Sequence, residues 1–168
     1  LNKLYLHIIS LAMKNSNWIV IVNPAAGAGK AGNDWVRIKE YLEKHAFTFE
    51  PVFTNRRLHA MIISKQKISE GYNKIIVVGG DGTMNEVING VFAQTRIPTN
   101  EVMLGMISVG TGNDWGKMFG IPNDYEQAVR IVLNYYDKYY LQGLQKRPKD
   151  KVHIIHSTST DPDYNVSL

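Results

Sequence analysis

Short apolar runs alternate along this chain with longer segments in which apolar residues recur every three or four positions. The runs predict strands buried on both faces, as in a parallel sheet, because a half-exposed strand would alternate apolar and polar side chains. The amphipathic segments between them predict helices. Strands are predicted at 18–22, 47–54, 74–78 and 102–109, with a weaker one at 152–156. This alternation predicts an α/β fold with an open, mostly parallel sheet and helices on both faces.

Three glycine-rich loops are the most informative feature of the chain. They lie at 23–27 (Asn-Pro-Ala-Ala-Gly), 79–83 (Gly-Gly-Asp-Gly-Thr) and 110–114 (Gly-Thr-Gly-Asn-Asp), each directly after a predicted strand. Glycine lets a ligand approach backbone amides closely, and the N-terminus of a helix attracts anions. Because parallel strands place these loops at the edge of the sheet where ligands bind, they predict a crevice for a nucleotide phosphate.

The second loop is the most specific of the three. Asp81 is suited to bind Mg²⁺, directly or through water, or a ribose hydroxyl. Thr83 can cap the following helix while donating to a phosphate. Asn85 and Glu86 follow at the start of the predicted helix, near enough to join the site.

Other polar residues beside the loops leave alternatives open. Asn113 and Asp114 either contribute to the site or cap the next helix. Thr54, which ends the second predicted strand, either contacts the nucleotide or is a plain strand-end threonine. Arg56 and Arg57 are most simply solvated charges, although a loop just past Thr54 could reach a phosphate.

A dinucleotide-binding pattern, G-x-G-x-x-G, is also matched at 27–32. The link between the first strand and these glycines is longer than in a Rossmann turn, and the second strand ends in Thr54 where an acid is expected. A Walker A loop does not fit, because Pro24 occupies its first glycine position and Ala31 its Ser/Thr position. The segment on its own is also compatible with a simple surface turn.

Length and composition limit the alternatives. At 168 residues the chain is long enough for one domain with a core. It contains no cysteine and therefore no disulfide, thiolate metal site or cysteine nucleophile. Its net charge of +4 suits phosphate-rich ligands or an anionic membrane surface but is too small to indicate nucleic acid. No apolar stretch approaches the length of a membrane span.

The motifs N-P-x-x-G, G-G-D-G-T and G-T-G-N-D, in this order and at this spacing, resemble the catalytic domain of the diacylglycerol kinase and sphingosine kinase family, especially its bacterial lipid kinases. The resemblance runs from about 17 to 134. It implies an α/β domain that binds ATP and Mg²⁺ and faces a second, β-rich domain. The implied reaction is transfer of the ATP γ-phosphate to a lipid hydroxyl, mainly by positioning and charge stabilisation.

The resemblance also implies which residues bind the nucleotide. They are Asn23, Pro24, Ala25, Ala26, Gly27, Thr54, Gly80, Asp81, Gly82, Thr83, Met84, Asn85, Glu86 and Thr111. Gly79, Gly112 and Asn113, which belong to the same loops, are predicted with them. Asp81 would handle the magnesium of Mg-ATP. The catalytic residues stay unknown, because the family's carboxylate base, its lipid-binding face and a structural metal site belong to the second domain, which nothing after Asn134 matches.

We therefore interpret 1–16 as an N-terminal extension, 17–134 as the nucleotide-binding kinase domain and 135–168 as a linker or the truncated start of the second domain. Alone, this half is expected to bind ATP with little or no turnover. The expected partners are ATP and a lipid at the membrane surface, with no nucleic acid, and an exposed apolar face would favour self-association. The expected location is the cytoplasm, including the inner face of the membrane.

Three other functions remain to be separated from this one. An NAD kinase-like enzyme would share the Gly-Gly-Asp-Gly-Thr loop, although the Asn-Pro-Ala-Ala-Gly loop favours the lipid kinases. A non-catalytic nucleotide-binding module would fit the missing half, and an NAD(P)-dependent oxidoreductase would rest on 27–32 alone. Asp81→Ala is expected to abolish nucleotide binding with the fold intact. Gly82→Val is expected to be worse, because a β-branched side chain would oppose the turn and fill space meant for phosphate.

Overall fold

The computed structural model describes residues 18–45, 48–110, 112–118, 120–136 and 153–154. The strands are β1 (Trp18–Val22), β2 (Phe49–Phe53), β3 (Lys74–Gly79), β4 (Met103–Ser108) and β5 (His153–Ile154). The helices are α1 (Lys30–Lys44), α2 (His59–Ser69), α3 (Asp81–Ala93), α4 (Asp114–Met118) and α5 (Tyr125–Tyr136). A short 3₁₀ turn, Thr99–Glu101, precedes β4.

The strands form one parallel sheet in the order β2-β1-β3-β4-β5. All residues of β1, β3 and β4 are buried, which confirms the interpretation of their apolar runs. The chain leaves β1 toward β2 on one side and returns to β3 on the other, so strand order reverses between β1 and β3. A crevice opens at the carboxyl ends of strands where the order reverses in this way.

Helices cover both faces of the sheet, and the two-residue period of the strands divides the core between them. One face carries Ile19, Ile21, Ile75, Val77, Leu104 and Met106, packed with α2 and α3. The other carries Trp18, Val20, Val22, Ile76, Val78 and Ile107, packed with α1 and α5. The predicted fold class is therefore confirmed. Helix α5 begins with a side-chain cap, since the amide of Gln127 donates to Oδ1 of Asp124 at 2.9 Å.

Helices α2 and α3 cross closely at Gly90. A Cβ atom on Gly90 would lie 1.9 Å from Oγ of Ser64 and 2.4 Å from the carbonyl oxygen of Met61. The Ser64 hydroxyl in turn lies 3.1 Å from the carbonyl oxygen of Met61 and 3.2 Å from that of Val87. This crossing fixes where the N-terminus of α2 lies relative to α3.

Among the described residues, no helix has both the length and the apolar character needed to cross a bilayer.

Candidate functional site

A pocket of about 570 Å³ lies at the carboxyl ends of β1, β2 and β3, which is a common size for a small-molecule site. It is lined by Asn23, Pro24, Ala25, Ala26, Gly27, Thr54, Asn55, Arg56, Arg57, Gly80, Gly82, Thr83 and Glu86. The first glycine loop, the start of α3 and the end of β2 therefore meet at one place. We call this cavity the crevice pocket.

The first loop is tied to the second through Asn23. Its Oδ1 accepts from the amide of Ala25 at 3.1 Å, which closes a turn, and its Nδ2 donates to Oγ1 of Thr83 at 2.9 Å. The loop then turns through Gly27, which has a φ of +62°. A Cβ atom there would lie 3.2 Å from Cα of Gly110, so the first and third loops also touch at this glycine.

The N-terminus of α3 opens into the crevice pocket without a cap. Gly80 is at the N-cap position, and no described side chain caps this helix. Within the described residues, the amides of Asp81 and Gly82 have no acceptor in the protein. Free first-turn amides and the positive end of a 13-residue helix are together suited to bind an anion.

Gly82 leaves space in this pocket. It lies inside the first turn of α3 and is not among the positive-φ residues, so the expectation that a β-branched residue would oppose a turn there is wrong. A Cβ atom on Gly82 would meet no atom within 4 Å. A larger side chain would instead occupy the mouth of the pocket, which supports the second half of that expectation.

Asp81 is already engaged with the third loop. Its Oδ2 accepts from the amide of Asp114 at 2.7 Å, and its Oδ1 accepts from the amide of Trp115 at 3.2 Å. These amides belong to the first turn of α4, so Asp81 caps α4 from another part of the chain. The alternative that Asn113 or Asp114 caps this helix is therefore not supported, because Asp81 accepts these amides instead.

The side chains of the third loop have other partners. Nδ2 of Asn113 donates to the carbonyl oxygen of Gly110 at 2.9 Å. Oδ1 of Asp114 accepts from Nζ of Lys117 at 3.3 Å. Gly112 and Asn113 do not line the crevice pocket, and Thr111 lies outside the described residues.

Several other predicted residues, Asp81 among them, also lie off the pocket lining. Gly79 ends β3 in the buried sheet, and Met84 is fully buried in the core. Asn85 is exposed, and its carbonyl oxygen accepts from Nδ2 of Asn89 at 2.8 Å. The loop motif predicts that these residues belong to one site. Met84 and Asn85 lie in α3, however, and the helix turns them away from the pocket.

Asn55, Arg56 and Arg57 line the pocket although they were not among the predicted site residues. The two arginines are exposed, and they stand on the wall formed by the loop after β2. Of the two alternatives weighed for them, contact with a phosphate gains support from this position. The sequence signal was the pair of cations directly after a strand end, beside Thr54.

The site fits magnesium that arrives with a nucleotide better than a metal held by the protein alone. Among the described residues, no group of three or more His, Cys, Asp or Glu side chains could hold a metal ion. Each oxygen of Asp81 accepts one amide and retains capacity for a further contact. Mg²⁺ is commonly bound through one or two carboxylates, phosphates and water.

Comparisons with known proteins agree on one family. The family model described as the diacylglycerol kinase catalytic domain matches residues 17–138. A diacylglycerol kinase of Staphylococcus carnosus is 33% identical over 114 residues, which are 68% of this chain and 36% of that protein. A diacylglycerol kinase of Staphylococcus aureus strain RF122 is 32% identical and is covered to 35%.

A solved structure is also similar. The crystal structure of a diacylglycerol kinase from Bacillus anthracis matches with a TM-score of 0.59 and 28% identity, over 71% of this chain and 42% of that one. The chain therefore spans little more than a third of the curated relatives named above.

Proposed function

The chain belongs to the diacylglycerol kinase catalytic domain family, and from this premise we propose that it is the nucleotide-binding half of an ATP-dependent lipid kinase. The observation that carries the proposal is the uncapped N-terminus of α3, which opens into the crevice pocket between the first loop and the end of β2. The acceptor would be a lipid hydroxyl, with diacylglycerol, the lipid in the names of the relatives, as the first candidate.

The residues of the pocket would act by positioning the phosphates. The free amides of Asp81 and Gly82 would bind phosphate oxygens at the start of α3. The first loop would lie beside these phosphates, held in place by the hydrogen bond between Asn23 and Thr83. Asp81 would contact the bound magnesium, whose charge offsets that of the phosphates. Phosphoryl transfer needs little covalent chemistry from the protein beyond such positioning.

The acceptor half of the reaction would lie outside the region that matches the relatives. We propose that the general base and the lipid-binding surface come from the additional length of the longer proteins. The chain alone would then bind Mg-ATP but turn over little or none of it. Contact with a membrane surface would come with the lipid substrate.

The test is calorimetric titration of the chain with Mg-ATP, beside NAD⁺ and NADH. Saturable binding of Mg-ATP is expected. Gly82→Val should weaken it more than about tenfold, which is about 1.4 kcal/mol, because the side chain fills the pocket mouth. Asn89→Val is the matched control, because it places the same side chain two turns further along α3 and off the pocket lining.

Two outcomes would contradict the proposal. A preference for the dinucleotides over ATP would favour an NAD kinase-like or oxidoreductase function. Equal weakening by Gly82→Val and Asn89→Val would show that ATP does not enter the crevice pocket.

A further inference from the structure

Glu86 joins two helices at the wall of the crevice pocket. It lies in the second turn of α3, yet both of its carboxylate oxygens accept from the start of α2. Oε1 accepts from the amide of Leu58 at 2.8 Å, and Oε2 accepts from the amide of Ala60 at 3.2 Å. Glu86 therefore caps α2. Leu58, which occupies the N-cap position of that helix, makes no capping hydrogen bond with its side chain.

The backbone at Leu58 needs this support. Leu58 has a φ of +62°, in the left-handed region that costs a residue other than glycine about 1–2 kcal/mol. Leu58 is 50% exposed, so burial of the leucine provides little compensation. Hydrogen bonds from amides to an ionised carboxylate are roughly twice as strong as those between neutral groups, and they also complement the positive end of α2.

The segment that ends at Leu58 carries the arginines of the pocket. Its first end is fixed by the amide of Thr54, which donates to the carbonyl oxygen of Val22 at 2.8 Å. Within it, the amide of Asn55 donates to Nδ1 of His59 at 3.2 Å. Glu86 fixes the other end, so Arg56 and Arg57 stand on a wall that is held at both sides.

We propose that Glu86 is a positioning residue for this site: it fixes the wall formed by residues 55–58 and does not itself bind the nucleotide. The statement about the ligand rests on the proposed function, whereas the wall is a property of the free chain. A carboxylate facing phosphate would repel it. Here the carboxylate is instead committed to two amides, and the effect on the pocket is to hold two cations in place.

The first test uses the ligand-free protein. Residue-resolved hydrogen exchange should show that Glu86→Ala accelerates exchange at the amides of Leu58 and Ala60 by at least about tenfold, or about 1.4 kcal/mol of lost protection. Amides in β3 should keep their wild-type rates. Glu86→Gln keeps one acceptor oxygen and should give an intermediate effect, and it serves if Glu86→Ala does not fold. Glu70→Ala, at the far end of α2, is the matched control.

The second test is a double-mutant cycle on the dissociation constant of Mg-ATP. Glu86→Ala should weaken binding severalfold in the wild-type background and have no further effect when Arg56 and Arg57 are both alanine, because the wall then carries no cation. Additive effects, with unchanged exchange at Leu58, would mean that Glu86 contacts the nucleotide and would overturn the proposal.

The remaining outcomes are also decisive. Faster exchange at Leu58 and Ala60 without any change in Mg-ATP affinity would overturn the positioning role. If the wild-type chain binds no Mg-ATP, the proposed function fails, and the exchange rates alone decide whether Glu86 fixes the wall.

Discussion

Three neighbouring helices begin at the same edge of the sheet, and they differ in what satisfies their first amides. The start of α2 is satisfied by Glu86 and the start of α4 by Asp81. Both acids belong to α3, whose own first turn has no cap among the described residues. The helix that caps its neighbours thus leaves its own amides open to the crevice pocket.

This difference separates structural from ligand-binding helix ends. A helix N-terminus alone says little, since each helix has unpaired amides there. At this edge the two outer helix starts are closed by charged side chains, and the central one opens into a cavity large enough for a nucleotide. Asp81, the acid of the Gly-Gly-Asp-Gly-Thr loop, therefore has a role in the free protein as well as the one proposed with ligand.

The largest expected effect comes from Gly90, because it sets the distance over which Glu86 reaches α2. Gly90→Ala would place a Cβ atom 1.9 Å from Oγ of Ser64 and 2.4 Å from a backbone oxygen of Met61. Helices α2 and α3 would have to separate, and we expect a loss of about 3 kcal/mol or more in the free energy of unfolding, measured by urea denaturation.

Gly82→Ala is the control for this change, because Gly82 lies in the same helix with open space around it. It should be neutral or stabilise by up to about 1 kcal/mol, as alanine favours a helix over glycine. Similar losses in the two variants would mean that the crossing at Gly90 is not closely packed.

The opposite edge of the sheet, where the strands begin, differs in how it holds a charge. There a lysine side chain is buried without a carboxylate partner among the described residues. Lys74, the first residue of β3, is 4% exposed, and burial lowers its pKa from 10.5 to about 8. Its Nζ donates to the hydroxyl of Tyr136 at 3.2 Å and lies 4.8 Å from that ring.

Lys74→Met should raise the free energy of unfolding at pH 7 by about 2–3 kcal/mol, since a pKa depressed this far corresponds to roughly 3 kcal/mol of penalty. The unfolded chain binds the proton more tightly, so wild-type stability gains from pH 8 to 10.5 as the folded lysine deprotonates first. The advantage of Lys74→Met should therefore shrink over that window in urea titrations. A difference that is constant with pH would contradict a depressed pKa.

The strands and the place of the crevice pocket could be predicted from the sequence, because both depend on short-range patterns. The runs that became β1, β3 and β4 are almost entirely apolar, and each glycine loop follows one of them. The edge strand β2 was predicted at 47–54 and occurs at Phe49–Phe53, where the pattern is mixed and contains a proline.

The capping contacts could not be predicted in the same way. Asp81 and Trp115 are 34 residues apart, and Glu86 and Leu58 are 28 apart. Their contacts depend on strand order and on the crossing at Gly90, which no local pattern encodes. From the sequence alone, an acidic residue in a glycine-rich loop is therefore interpreted as a ligand-binding residue. Its capping role becomes visible only when the neighbouring helices are in place.

The last prediction divides the two roles of Asp81. Asp81→Ala removes both acceptors from the start of α4, and we expect a loss of about 1–2 kcal/mol in the free energy of unfolding. Asp81→Asn keeps one acceptor oxygen and should lose about half as much, but it removes the charge that would face magnesium. Both are measured without ligand, by urea denaturation and by hydrogen exchange at the amides of Asp114 and Trp115. Glu101→Ala, which removes an exposed carboxylate elsewhere, is the control.

Mg-ATP affinity then assigns the second role. If Asp81→Asn keeps most of the stability but loses Mg-ATP binding as fully as Asp81→Ala, charge at the ligand is what the site needs from Asp81, and the cap is a separate contribution. If affinity instead follows the stability of α4 across the two variants, Asp81 acts on the nucleotide through the third loop. If Asp81→Ala has wild-type stability and wild-type exchange rates, then Asp81 does not cap α4. The contrast between a closed start of α4 and an open start of α3 would then not hold.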